Sequence, residues 1–121
     1  MRQDPSIPAL GSLEAKIMQV QWDRPGEYLS VRETRLLLDG DPAYTTVMTV
    51  MGRLYEKGLL RRRRDGRAWV YRPAMTREAY AAVTMSDALR VASDPRAALL
   101  HFVADLRPEE ADALRRVLGP Q

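Results

Sequence analysis

Apolar residues recur every three or four positions near the start of the chain, which predicts an amphipathic helix over Gly11–Trp22. These positions are Leu10, Leu13, Ile17 and Val20. A second helix is predicted from about Val31 to Leu38. Its start is marked by Ser30 and Glu33, which match the S-x-x-E capping box that satisfies free backbone N–H groups. Residues 1–9 show no such periodicity, and we expect them to form a flexible N-terminal arm.

The third predicted helix, roughly Ala43–Lys57, has the most strongly two-sided pattern in the chain. At about 100° per residue, one side of this helix is apolar and the other is polar. The apolar side is expected to hold Tyr44, Val47, Met48, Met51, Leu54 and Tyr55. The polar side is expected to hold Thr45, Thr46, Thr49, Gly52, Arg53, Glu56 and Lys57.

Two β-prone runs follow this helix, at Leu59–Arg64 and Arg67–Arg72. The dipeptide Asp65-Gly66 between them is a strong signal for a tight hairpin turn. The second run alternates aromatic with smaller residues, which predicts a two-stranded ribbon with one packed face. Three helices followed by such a hairpin are the order of a winged helix-turn-helix domain, which we place at residues 10–74.

Three further helices are predicted after Pro73, starting at Thr76, at Asp94-Pro95 and near Pro108. They are rich in apolar residues but too short to enclose a core of their own, so we expect residues 75–121 to be a helical dimerisation domain. The expected interface residues are Tyr80, Val83, Leu89, Leu99, Leu100, Phe102, Val103, Leu114, Val117 and Leu118. The predicted fold class is mainly α with a small β-wing.

Positive charge is concentrated in the third helix and the hairpin. Residues 42–72 contain eight basic and two acidic residues, a net charge of +6, whereas the whole chain carries +3. Clustered basic residues beside a helix with one polar side are typical of a surface that binds DNA phosphates. The absence of cysteine excludes disulfides and thiolate metal sites, and no apolar run reaches the ~18–20 residues of a membrane span. A cytoplasmic location is expected.

The polar side of the third helix suits base recognition, because threonine can hydrogen-bond to a base or a phosphate and touch a thymine methyl. Thr46, Thr49 and Arg53 are expected at the centre of this surface. The full set of residues expected to bind DNA is Ser30, Arg32, Thr45, Thr46, Thr49, Arg53, Lys57, Arg62, Arg64 and Arg67. The alternatives are a solvated helix face, an edge strand protected by charge, and a winged helix that binds another protein.

Catalytic function is not indicated by any motif in the chain. His101 is the sole histidine, and sequences typical of zinc proteases, P-loops or nucleophile elbows are absent. We predict no enzyme activity, no metal site and no cofactor.

The chain resembles the BlaI/MecI family, the penicillinase-repressor type of bacterial regulators. The resemblance is carried by LGSLEAKIMQVQW at 10–22, SVRE at 30–33, AYTTVMTVMGRLYEKGLL at 43–60 and RDGRAWVYRP at 64–73, and more weakly by TREAYAAVTM at 76–85. It implies a homodimeric winged-helix repressor that binds palindromic operator DNA upstream of β-lactamase or other antibiotic-resistance genes.

The resemblance also implies a route of derepression. In the family, a membrane-bound sensor detects β-lactam and the repressor is then cleaved in its dimerisation region. The corresponding bond in this chain joins His101 to Phe102, where family members often carry Asn before Phe. A repressor of genes unrelated to resistance is the alternative within the same family. The cysteine-rich, copper-responsive branch does not fit a chain without cysteine.

Overall fold

The computed structural model describes residues 10–119, so the predicted arm at residues 1–9 lies outside the described residues. The described residues form six helices and a three-stranded antiparallel sheet, which confirms a mainly α fold with a small β-wing. The helices are α1 (Ser12–Trp22), α2 (Val31–Leu36), α3 (Tyr44–Glu56), α4 (Arg77–Val91), α5 (Pro95–Ala104) and α6 (Pro108–Leu118). The strands are β1 (Leu29–Ser30), β2 (Leu60–Asp65) and β3 (Ala68–Pro73).

Local signals in the sequence account for where the helices begin and end. The capping box at α2 is confirmed, because the Glu33 N–H donates to Ser30 Oγ at 3.0 Å and the Ser30 N–H donates to Glu33 Oε1 at 2.8 Å. Thr76 caps α4 and Asp94 caps α5 in the same manner, each accepting a backbone N–H from the first turn. Gly58 ends α3 with φ of 83°, a conformation that a glycine adopts without strain.

The sheet differs from the predicted two-stranded ribbon. A short strand, β1, pairs with β3, so the strand order is β1-β3-β2 and β3 is central. Val70 and Tyr71 are therefore both buried, although they point to opposite faces of β3. A strand of two residues has too few positions to show an alternating pattern, and the sequence reading missed it for that reason.

The hairpin turn also lies one residue later than predicted. Asp65 pairs with Ala68, so the two-residue loop consists of Gly66 and Arg67 rather than Asp65 and Gly66. Gly66 has φ of 63° and Arg67 does not have a positive φ, which matches a type II′ turn. With the turn at Gly66-Arg67, Arg64 lies opposite Trp69, whereas a turn at Asp65-Gly66 would place it opposite Arg67.

The predicted apolar side of α3 is only partly correct. Val47, Met51 and Leu54 are fully buried as expected, and Val50 is buried with them. In contrast, three large side chains from the predicted apolar side are exposed: Tyr44, Met48 and Tyr55. The buried face is thus rotated towards Val50, because α3 packs between α1, α2 and β2 while the three exposed residues lie along one flank.

The chain divides into two compact units, with the boundary between Ala81 and Ala82, inside α4. We call the described parts the N-terminal unit (10–81) and the C-terminal unit (82–119). The N-terminal unit extends beyond residue 74 because Trp22 Nε1 donates to the Met75 carbonyl oxygen at 3.0 Å. Tyr80 also belongs to its core, with its ring centroid 5.8 Å from that of Trp22.

In the C-terminal unit, none of residues 82–119 is buried. Leu89 and Leu114 are half-buried, and the other large apolar side chains of α4, α5 and α6 are mostly exposed. The exposed ones are Val83, Met85, Val91, Leu99, Leu100, Phe102, Val103, Val117 and Leu118. Within the described residues, no helix is long and apolar enough to cross a membrane.

Candidate nucleic-acid interface

The face of α3 opposite the core is polar and exposed. Successive residues turn by about 100°, so Thr45 and Thr49 lie opposite the buried face, with Glu56 beside them. Thr46 and Arg53 are also exposed and lie on one flank of this surface. The four residues predicted on α3 therefore lie on one surface. Its centre is formed by Thr45 and Thr49, whereas Thr46, Thr49 and Arg53 were expected there.

The other flank of this surface is apolar. Tyr44 and Met48 are about half exposed, and Tyr55 follows them two turns later on the same side of α3. Methyl, thioether and aromatic groups at the edge of a polar helix face suit contacts with thymine methyls. The sequence reading placed these side chains in the core, because their apolar character alone does not distinguish burial from an exposed binding surface.

The turn between α2 and α3 is closed by a residue that the sequence reading did not select. Arg35 Nε donates to the Pro42 carbonyl oxygen at 2.7 Å, and Arg35 Nη2 lies 3.0 Å from Asp41 Oδ1. Asp41 has φ of 48°, so the chain reverses sharply at this point. These contacts hold α3 in a constant direction relative to α2.

At the start of α2, Ser30 and Arg32 have different environments. The Ser30 hydroxyl oxygen accepts the Glu33 N–H as a helix cap, which fixes the hydroxyl at the helix start, although its proton can still be donated to another group. Arg32 is exposed in the first turn of α2. Its guanidinium is therefore the more available of the two for a phosphate.

Lys57, also expected to contact DNA, is paired with an acidic residue of α1. Its Nζ lies 2.8 Å from Glu14 Oε2, and the Glu14 side chain is largely buried. Burial alone would raise the pKa of the Glu14 carboxyl, but hydrogen bonds from Lys57 and the Gly11 N–H, with the charges of Lys57 and Arg53, lower it below its ordinary value. Lys57 thereby joins the end of α3 to the start of α1.

The wing is the hairpin of β2 and β3, and its arginines are divided between two faces. Arg62 and Arg64 lie on the face of Trp69, with guanidinium carbons 4.2 and 4.4 Å from its ring centroid. Arg62 also lies 4.0 Å from the ring centroid of Tyr55 on α3. Two of the three arginines predicted to bind DNA in the wing are therefore engaged with aromatic rings.

On the opposite face, Arg63 and Arg72 lie over the Tyr28 ring, at 4.1 and 5.3 Å from its centroid. Among the described residues, Arg61 and Arg67 make no hydrogen bond, ion pair or ring contact through their guanidinium groups. Arg67 was predicted and Arg61 was not. The alternation of aromatic and basic residues in 61–72 was the available signal for these ring contacts, but the pairing register was needed to assign them.

One of the predicted dimer-interface residues has a different place. Tyr80 is 9% exposed and packs on Trp22 within the N-terminal unit, so its ring is not available to a partner. Met75 and Tyr80 occupy the positions of a hydrophobic staple around the Thr76 cap, and both pack in the same core. The remaining predicted interface residues lie in the C-terminal unit, on α4, α5 and α6.

The predicted cleavage bond lies inside α5. His101 and Phe102 are both exposed, and they lie in the last two turns of a ten-residue helix. No group of three or more His, Cys, Asp or Glu residues that could hold a metal ion occurs within residues 10–119.

Two comparisons with known proteins agree with this arrangement. The sequence matches the family model described as penicillinase repressor over residues 10–119. It is 46% identical over 118 residues to proteins named transcriptional regulator BlaI from two strains of Mycobacterium tuberculosis, an alignment that covers 93% of this chain and 85% of each relative. The three-helix core, the wing and the family match together show that the chain is a transcriptional regulator that belongs to the penicillinase repressor family.

Proposed function

We propose that the protein represses transcription by binding a palindromic operator as a homodimer, with α3 in the major groove and the wing on the phosphate backbone. The observation that carries this proposal is the exposed threonine surface of α3, together with a wing turn in which the Arg67 guanidinium has no partner among the described residues. A helix of this kind reads base edges, while a basic wing neutralises phosphates.

Dimerisation is supported by the exposed apolar side chains of the C-terminal unit. Leu100 is 63% exposed and Phe102 is 45% exposed, and both lie on α5. A run of apolar residues without cover in a regulator is best explained by a second copy of the chain, since two-fold symmetry then matches a palindromic site. Two joined DNA-binding units bind with higher apparent affinity than either alone.

Operator binding is tested by selecting duplexes with the wild-type protein from a random-sequence pool. We expect enrichment of a palindrome, with half-sites spaced by about one helical turn or a multiple of it. Binding of the selected duplex should weaken with salt, with a slope of about −0.9 per phosphate neutralised. A protein-interaction module would enrich no sequence and show no such slope, which would overturn the proposal.

The role of α3 is tested with two substitutions at Thr49. Thr49→Val keeps the shape but removes the hydroxyl, whereas Thr49→Ser keeps the hydroxyl but removes the methyl. If Thr49 reads a base, at least one of them should weaken binding of the selected duplex by about 1–2 kcal/mol and leave a scrambled duplex unaffected. Equal weakening on both duplexes would mean that Thr49 only positions the helix.

We propose control of β-lactamase or other resistance genes, with derepression by cleavage between His101 and Phe102. The family match supports this proposal, and the bond lies within α5, so cutting it would divide a helix whose apolar residues are assigned to the dimer interface. Incubating the repressor–operator complex with extract of β-lactam-treated cells, and sequencing the new N-terminus, tests the cleavage. A fragment beginning at another residue would contradict the assignment.

The target genes are tested by deleting the gene and measuring transcripts. Under the proposal, resistance genes beside an operator should rise. An increase confined to other genes would instead support the alternative, a repressor of an unrelated set of genes.

A further inference from the structure

A series of ring contacts connects α3 to the tip of the wing. The guanidinium carbon of Arg62, on β2, lies 4.0 Å from the ring centroid of Tyr55, in the last turn of α3. It also lies 4.2 Å from the ring centroid of Trp69, on β3. Trp69 also contacts Arg64 at 4.4 Å, and Arg64 Nη1 donates to the Arg67 carbonyl oxygen in the turn at 3.0 Å. The series begins on the helix that faces the major groove in the proposed complex and ends at the wing loop.

Arg62 is the member of this series that joins the helix to the wing. It is half-buried, whereas Arg61, Arg63 and Arg64 on the same strand are exposed. Its Nε is buried and has no hydrogen-bond partner among the described residues. A buried donor without a partner is unfavourable, so the guanidinium is held mainly by the faces of the two aromatic rings.

We infer that Arg62 is a positioning residue that sets the orientation of the wing relative to α3, and that it does not bind a phosphate. This inference rests on the proposed function, because it matters only if α3 and the wing bind one duplex together. It replaces the expectation from the sequence that Arg62 contacts DNA. The register pairs Arg62 with Tyr71 and Arg64 with Trp69, which brings both arginines to the aromatic face of the hairpin.

The chemistry of this position requires arginine rather than lysine. A guanidinium is planar and weakly hydrated, so it can lie flat between two rings, whereas an ammonium is compact and strongly hydrated. Arg62→Lys therefore keeps the charge but removes the planar contact. A residue that contributes only its positive charge to phosphate binding would tolerate this change, and a positioning residue would not.

The experiment compares Arg62→Lys with Arg77→Lys in the full chain. Arg77 provides a matched control because its guanidinium also lies over a ring, 5.5 Å from the Trp22 centroid, but outside α3 and the wing. The first measurement needs no DNA: backbone ¹⁵N relaxation at Gly66 reports motion of the wing loop. We expect increased motion in Arg62→Lys and in Tyr55→Leu, and wild-type motion in Arg77→Lys.

The second measurement is the ratio of affinities for the selected duplex and a scrambled duplex. For Arg62→Lys we expect this ratio to fall about tenfold, since loss of two cation–π contacts is worth about that factor. A partly unfolded variant would weaken both duplexes equally and leave the ratio unchanged. Adding Arg62→Lys to Tyr55→Leu should cause a smaller further loss than Arg62→Lys causes in the wild-type protein, because one of the two ring contacts is already broken.

The results separate this inference from the proposed function. In an Arg62→Lys variant that binds the scrambled duplex as tightly as the wild type and is therefore folded, an unchanged ratio, or unchanged motion at Gly66, would overturn the positioning role even if the protein binds its operator. If the wild-type protein selects no duplex, the proposed function fails, while the relaxation data still decide whether Arg62 holds the wing.

Discussion

The two units of this chain differ in how far they bury their apolar side chains. The N-terminal unit encloses a continuous core in which Ile17, Met18, Val47, Met51 and Leu54 have no exposed surface. The C-terminal unit has helices of similar length and similar caps, yet none of residues 82–119 is buried. Well-formed helices are therefore present in both units, but a closed core is present in only one.

A helix can therefore form with suitable caps and still have apolar side chains that no other part of the same chain covers. The helices of the N-terminal unit pack against one another and against the sheet, and these contacts cover the apolar residues of its core. Asp94 and Pro95 mark the start of α5 as clearly as Ser30 marks the start of α2. However, the apolar residues of α5 are exposed to solvent in the single chain. Capping residues determine where a helix starts, whereas a partner surface determines whether it is stable.

The largest expected effect concerns the C-terminal limit of the N-terminal unit. We expect the fragment 1–82 to unfold cooperatively, and the fragment 1–75 to be less stable by about 3–5 kcal/mol, since it lacks the large buried ring of Tyr80. Chemical denaturation of both fragments measures the difference. Equal stability would show that Tyr80 is not part of this core.

The next effect tests the apolar surface of the C-terminal unit. Phe102→Glu should convert a dimer to a monomer and weaken operator binding by roughly a hundredfold, because the second half-site no longer binds intramolecularly. Ala113→Glu is the control for the added charge, since Ala113 is exposed on α6 and is not one of the predicted interface residues. Analytical ultracentrifugation and gel shifts measure the outcome. A dimeric Phe102→Glu variant would refute a central place for α5 in the interface.

A smaller effect is expected from the Glu14–Lys57 pair of the N-terminal unit. Because the pKa of Glu14 is lowered on folding, its contribution is present above pH ~4.5 and is lost as the pH falls towards the lower folded value. Glu14→Gln should reduce stability at pH 7 by about 0.5–1 kcal/mol, through loss of the ion pair with Lys57, while the amide oxygen of Gln can still accept the Gly11 N–H. Urea denaturation at pH 7 and pH 3 checks this, since the difference between wild type and variant should shrink at pH 3. A constant difference would mean that folding does not shift the pKa of Glu14.

The smallest effect separates two arginines of the wing. Arg67→Ala should weaken binding to all duplexes by a few-fold and reduce the salt slope by about 0.9, the value for one lost phosphate contact. Arg64→Ala should change the slope less, because its guanidinium contacts Trp69 and the Arg67 carbonyl oxygen. Salt titrations of both variants test the distinction. The opposite order would assign the phosphate contact to Arg64.

Short-range rules were sufficient for much of this protein. Several helix ends could be predicted because they depend on groups within four residues of one another. These are the helix starts at Ser30, Thr76 and Asp94 and the end of α3 at Gly58. The mainly α class with a β-wing, the clustered positive charge and the family resemblance were likewise available from the chain alone.

Contacts between distant segments decided the rest. Three features depend on which elements pack together, and no local sequence pattern specifies that packing. They are the pairing of β1 with β3, the turn at Gly66-Arg67 and the exposed flank of α3. Arg62 illustrates the point most clearly. Its sequence context of four consecutive arginines indicates phosphate binding, but the fold places it between the rings of Tyr55 and Trp69. Residue type determined the charge at this position, and tertiary packing determined what the charge contacts.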